Sequence, residues 1–194
     1  MRTGSVKRVT KETDIEVTID LDGTGEAEVS TGIGFFDHML TAFAKHGFFD
    51  LKLKCVGDLN VDSHHTVEDC GIALGEAIDK ALGSKEGINR YGCFTLPMDE
   101  TLVLSAVDLC GRPYLNFDVS LTVPKVGDFD TEMAREFFYA ISYSAKMNLH
   151  IKELAGENNH HKLEACFKAF SKALCNAVTV NERVKGILST KGSL

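Results

Sequence analysis

The sequence predicts an α+β subunit made of two similar halves, in which apolar helices cover two sheets in a layered sandwich. Three observations carry this. His64-His65-x-x-Glu68 returns ninety-six residues later as His160-His161-x-x-Glu164. Glu12-Thr13, followed by Asp20-Leu21-Asp22-Gly23, returns with the same spacing as Glu100-Thr101 and Asp108-Leu109-Cys110-Gly111, while Phe36 and Ala44-Lys45 match Phe137 and Ala145-Lys146. Finally, segments of period two alternate with segments of helical period in the same order in both halves. Extra residues enter only the second copy, around Pro124 to Thr131.

The elements follow in order. Ile15, Val17, Ile19 and Leu21 alternate with polar residues, the mark of a half-buried strand; Gly23-Thr24-Gly25 is a turn, and residues 26–30 return as a second strand. Residues 35–45 read as a helix ending at Gly47, and alternating Leu and Lys make 51–56 a strand. With Ser63 as N-cap, a helix runs through Val67, Ile72, Leu74 and Ile78 to about Leu82, where Gly83 stops it. In the second half, strands are expected at 101–108 and 114–121, a helix at 132–148, a short strand at 150–153 and a helix at 159–177. Each half is thus expected to be ββαβα. The boundary falls in the Gly- and Pro-containing stretch 87–97, giving halves 1–92 and 93–194 packed as one subunit.

Bulk properties narrow the function. A formal charge of −7 argues against a nucleic-acid or acidic-membrane surface, because such surfaces need a basic footprint. Local basic clusters remain free to grip a small anion. No run of apolar residues is long enough to span a membrane, and residues 1–13 are too polar for a signal-peptide core. The six cysteines show no C-x-x-C spacing and read as reduced core thiols of a cytoplasmic protein.

Imidazole and carboxylate three or four residues apart share a helix face at about 5–6 Å between Cβ atoms. Such donors suit manganese, iron or zinc. Adjacent histidines at a helix start can instead be caps, but two equivalent pairs, each with its glutamate, favour two metal positions. His38 lies on the other helix of the first half, and the nearest ligand type in the corresponding part of the second half is Glu136. His46 precedes the helix-ending Gly47, where a cation is favourable. Arg90 and Arg112 stand among small or rigid neighbours, suited to bidentate anion capture or to exposed ion pairs. Lys168 lies one turn beyond Glu164, and Ser189-Thr190-Lys191-Gly192 offers hydroxyls, a cation and a flexible glycine near the C-terminus. No phosphate-cradling glycine motif of a nucleotide site is present.

Together these segments resemble the imidazoleglycerol-phosphate dehydratase family nearly end to end. The matching segments include residues 31–40 (TGIGFFDHML), 62–69 (DSHHTVED), 97–100 (PMDE), 111–114 (GRPY), 159–165 (NHHKLEA), 167–170 (FKAF) and 189–192 (STKG). The resemblance implies a duplicated ferredoxin-like unit of the ribosomal S5 domain 2-like kind, with helices packed between two mixed sheets. It implies a 24-subunit homo-oligomer with two manganese ions per active site, formed where subunits meet. The implied metal ligands are His38, His64, His65, Glu68, His160, His161 and Glu164, with Glu136 at a position where some members carry histidine. The implied reaction is dehydration of imidazole glycerol phosphate by an imidazolate and diazafulvene route. Glu12 is the implied acid/base, Asp99 and His46 the implied substrate contacts, and Arg90, Arg112, Lys168, Ser189, Thr190 and Lys191 the implied phosphate set. Two rival readings of the metal motifs are a hydrolase, in which paired metals activate water, and a non-enzymatic metal store.

Overall fold

A computed structural model describes residues 1–194. Each half is βββαβα, one strand more than expected. The first half runs β1 (Thr3–Val9), β2 (Thr13–Asp20), β3 (Ala27–Ser30), α1 (Gly34–Gly47), β4 (Asp50–Gly57) and α2 (His64–Leu82). The second runs β5 (Tyr91–Met98), β6 (Thr101–Asp108), β7 (Tyr114–Asp118), a small hairpin of β8 (Lys125–Val126) and β9 (Phe129–Asp130), α3 (Met133–Ser144), β10 (Asn148–Ala155) and α4 (Asn159–Val178). The hairpin occupies the stretch expected to be extra. Because β5 begins at Tyr91, a division after residue 92 cuts this strand, and the second half starts at its first residue. The third helix stops at Ser144 rather than 148, because Lys146 turns into the left-handed region at φ 53° before β10 begins.

The two sheets have the same topology, β1-β2-β4-β3 and β5-β6-β10-β7, each mixed because only its last pair is parallel. Register repeats as well: Gly4 faces Ile19 and Gly92 faces Val107. These two glycines show why the halves pack alike. A Cβ on Gly4 would lie 1.9 Å from the Ala77 carbonyl oxygen of α2, and one on Gly92 would lie 1.8 Å from the Ala173 carbonyl oxygen of α4. Only glycine lets the helix backbone come this close to the strand.

The helices lie between the sheets, α2 against α3 and α1 against α4. A phenylalanine cluster knits them: Phe36 meets Phe137 at 5.3 Å between ring centroids, Phe137 meets Phe167 at 5.1 Å, and Phe138 meets Phe167 at 4.9 Å. All four are essentially excluded from water, worth about 1.5–3 kcal/mol each. The outer faces are polar, as in the Lys7–Glu16 pair between β1 and β2. Cys55, Cys70, Cys110 and Cys166 are buried and all six thiols are unpaired, but Cys93 on β5 is exposed, so it is not a core residue. No helix is long and apolar enough to cross a membrane.

Candidate functional site

Both histidine pairs sit in the first turn of a helix. Asn158 caps α4, its side-chain oxygen accepting the backbone N–H groups of His160 and His161. At α2 the expected cap, Ser63, instead donates to Asp130, and Asp62 accepts the His64 N–H at 2.8 Å. Neighbouring residues of a helix project about 100° apart, so the paired histidines diverge. The expectation that both would face their own glutamate is corrected here. His64 and His160 do, with Nε2 at 3.6 Å from Glu68 and 3.0 Å from Glu164. His65 and His161 turn instead to carboxylates from strand turns and loops.

The tightest grouping joins α1 to α4. His38 Nε2 lies 3.4 Å from Glu164 Oε2, and one donor atom each from His38, His160 and Glu164 falls within 4.8 Å of the others. Phe35 walls the cluster, its ring packing edge-on against His160 at 5.1 Å. The Lys168 amino group contacts the other Glu164 oxygen at 2.5 Å. Burial pushes the Glu164 carboxyl pKa up, but Lys168 and His160 outweigh it, so it lies below the usual value and the group is ionised. His46 stands nearby, its pKa lowered by burial and then by Lys168 and Lys172. Two imidazoles and one carboxylate form a borderline donor set that fits manganese, iron or zinc. Within one chain this is a three-donor nucleus, short of a full coordination shell.

The second grouping forms around His65. Its Nδ1 lies 3.1 Å from Asp58 Oδ2, and its Nε2 lies 3.7 Å from Glu12 Oε1 in the β1–β2 turn. The third mirrors it in the other half: His161 Nδ1 lies 2.8 Å from Glu100 Oε2, and its Nε2 lies 3.8 Å from Asp99 in the β5–β6 turn. Hydrogen bonds donated by the imidazoles to the carboxylates of Asp58 and Glu100 raise the pKa of His65 and His161. Glu100 itself is held far below the usual carboxyl range, first by the Asn158 N–H and then by His161. Asp99 sits in a left-handed turn at φ 51° and is largely exposed. Glu136 lies in the first turn of α3, 3.3 Å from Arg135, and forms no ion pair with any histidine.

The anion-binding candidates converge elsewhere. Arg90, Arg112, Ser189, Thr190 and Lys191 line one open pocket of ≈ 660 Å³ together with Arg183 and Lys185. It is a basic concavity in an acidic protein. Arg90, at φ 67°, is clamped by Asp108 through Nε at 2.7 Å and donates to the Leu188 carbonyl, so it also ties down the C-terminal segment. Lys168 is not part of this pocket. The backbone N–H of Arg90 donates to the Ala177 carbonyl at the far end of α4, about 25 Å along the axis from His160 at a rise of about 1.5 Å per residue. One chain therefore holds its metal-type donors and its anion pocket at opposite ends of a helix.

Asp58, Arg183 and Lys185 went unmarked in the sequence. Asp58 was hidden because its partnership with His65 depends on how the loop after β4 folds back. The two cations were legible only as residues near the C-terminal STKG segment.

The sequence profile described as imidazoleglycerol-phosphate dehydratase matches residues 31–174. The enzyme of that name from Lachnoclostridium phytofermentans is 64% identical over 193 residues, covering 100% of this chain and 98% of the relative. That from Listeria welshimeri is 56% identical over the whole of both chains. Among solved structures, the imidazoleglycerol-phosphate dehydratase of Staphylococcus aureus superposes with a TM-score of 0.84 at 40% identity, covering 92% of this chain and 99% of that one. The Pyrococcus furiosus enzyme, solved in complex with (S)-C348, also gives 0.84 at 40% identity, covering 97% and 100%.

Proposed function

The chain belongs to the imidazoleglycerol-phosphate dehydratase family, and on that premise we propose how its residues divide the work of the reaction. The fold is the family's duplicated ferredoxin-like unit. The activity is a hydro-lyase step of histidine biosynthesis: water is removed from D-erythro-imidazole glycerol phosphate to give imidazole acetol phosphate. The hydroxyl leaves the carbon attached to the ring, the neighbouring carbon gives up its proton, and the resulting enol becomes the ketone. That C–H is not adjacent to a carbonyl, so the ring must supply the electrons that expel hydroxide.

Manganese is the proposed cofactor, two ions per active site, held by His38, His64, His65, Glu68, Glu136, His160, His161 and Glu164. Bound there, the ions would act as Lewis acids that favour the electron-rich imidazolate form of the substrate ring. The observation that carries this reading is the convergence of His38, His160 and Glu164 donors within 4.8 Å. Glu12, beside the Nε2 face of His65, is the proposed group that takes and returns protons at the glycerol carbons. Asp99 and His46 contact the substrate. Arg112, Ser189, Thr190 and Lys191 bind the phosphate, with Arg90 shaping their pocket and Lys168 meeting the substrate beside Glu164.

A phosphate joined to its imidazole by three carbons is far too short to span about 25 Å between the ends of α4. This supports an active site assembled from neighbouring subunits, in a homo-oligomer proposed to contain 24 copies. The biosynthetic role supports a cytoplasmic location.

The test is an assay on imidazole glycerol phosphate with metal-stripped protein, before and after Mn²⁺ is added, counting bound metal in the same samples. Turnover should return in proportion to bound manganese; full turnover without metal would reject the cofactor assignment. A second expectation concerns the anion pocket. Arg112→Ala removes a charge-assisted bond to phosphate and should raise KM about 10–100-fold with little change in kcat. Steady-state kinetics with an unaltered KM would remove Arg112 from the phosphate set.

A further inference from the structure

In each half, the second histidine of the pair lies between two carboxylates of different character. On the Nδ1 side the acid is close and the less exposed of the two: Asp58 for His65, at 3.1 and 3.2 Å, and Glu100 for His161, at 2.8 Å. On the Nε2 side the acid is looser and more exposed: Glu12 at 3.7 Å and Asp99 at 3.8 Å. A carboxylate accepts a hydrogen bond, so an acid on Nδ1 selects the tautomer with its proton on Nδ1 and its lone pair on Nε2.

Duplication alone does not explain this match. The repeat counterpart of Glu100 is Glu12, yet Glu12 lies on the opposite side of its histidine. Asp58 follows the end of β4; the residue that follows the end of β10 is Gly156, which has no side chain. The two halves reach the same geometry with non-equivalent residues. Glu100 is further fixed by the backbone N–H groups of Glu157 and Asn158.

We propose that Asp58 and Glu100 are positioning residues. Each locks its histidine with Nδ1 protonated and Nε2 presented to metal, which leaves Glu12 and Asp99 on the side where substrate reacts. This rests on the manganese reading above, and it assigns roles to two acids outside the ligand set.

Asp58 gives the cleaner test, because the only partner of its carboxylate is His65. Metal-stripped protein is titrated with Mn²⁺ while the electron paramagnetic resonance signal of the free ion is followed. Asp58→Ala should weaken manganese binding about 10–100-fold, the usual effect of losing a carboxylate behind a metal-binding histidine. Asp58→Asn, whose amide oxygen still accepts from Nδ1, should recover most of that loss. Unchanged affinity in Asp58→Ala would overturn the proposal. So would Asp58→Asn binding as weakly as Asp58→Ala, because the acid would then act through its charge and not through orientation. If the unsubstituted protein takes up no manganese, the cofactor assignment falls too; if it binds and Asp58→Ala binds equally, only the positioning role falls.

Discussion

Glu12→Gln is expected to lower kcat by about 10²–10⁴-fold, the usual contribution of a positioned acid/base. Its manganese content and particle size should match those of the unsubstituted enzyme. The geometry explains why the loss should be confined to chemistry. Glu12 lies in the turn between β1 and β2, is half exposed, and its carboxylate has one near partner, His65 Nε2 at 3.7 Å. Glutamine keeps the size of the side chain and cannot carry the proton. Nothing in the core or the sheets depends on that charge. Steady-state kinetics, metal analysis and light scattering on one preparation separate the possibilities, and near-normal turnover would remove Glu12 from the reaction.

The second large effect is expected on chelation. Within a chain the donors come as three (His38, His160, Glu164) and two (His64, Glu68), and neither set fills a coordination shell. His65 and His161 point away from both sets. If neighbouring subunits supply the missing ligands, each ion joins chains, and metal binding is linked to association by mass action. Removing manganese should then abolish turnover and shrink the particle to smaller oligomers, and restoring it should reverse both. A particle of undiminished size after verified metal removal would show that the ligands are not shared.

The sequence carried most of the scaffold and the identity of the metal-type donors. It hid two strands, and for the same reason in both halves. On β1 the inward positions are Gly4 and Val6, so alternation never develops; on β5 the inward Gly92 and the outward Pro97 imitate a linker. Glycine stands there because a helix backbone presses on the strand, a tertiary demand that local pattern cannot reveal. Proline is tolerated because β5 is an edge strand. The repeated motif disclosed its histidines and glutamates but not their grouping. Spacing put both histidines on the glutamate's face, whereas contacts with Asp58, seven residues before His65, and Glu100, sixty-one before His161, decide where the second ring turns.

The helix packing of the fold has an evolutionary corollary. Exchanging the halves maps the α2–α3 contact onto the α4–α1 contact, so the interface inside this chain has the self-complementary form of a twofold homodimer. In such a dimer of half-length chains, any substitution would appear twice. Joining the halves covalently let one copy acquire His38 where the other has Tyr139, gain the β8–β9 hairpin once, and leave one turn glutamate loose while its twin is pinned by backbone amides. Broken symmetry is thus what permits a single polypeptide to hold a stationary acid and a freer one in otherwise interchangeable places.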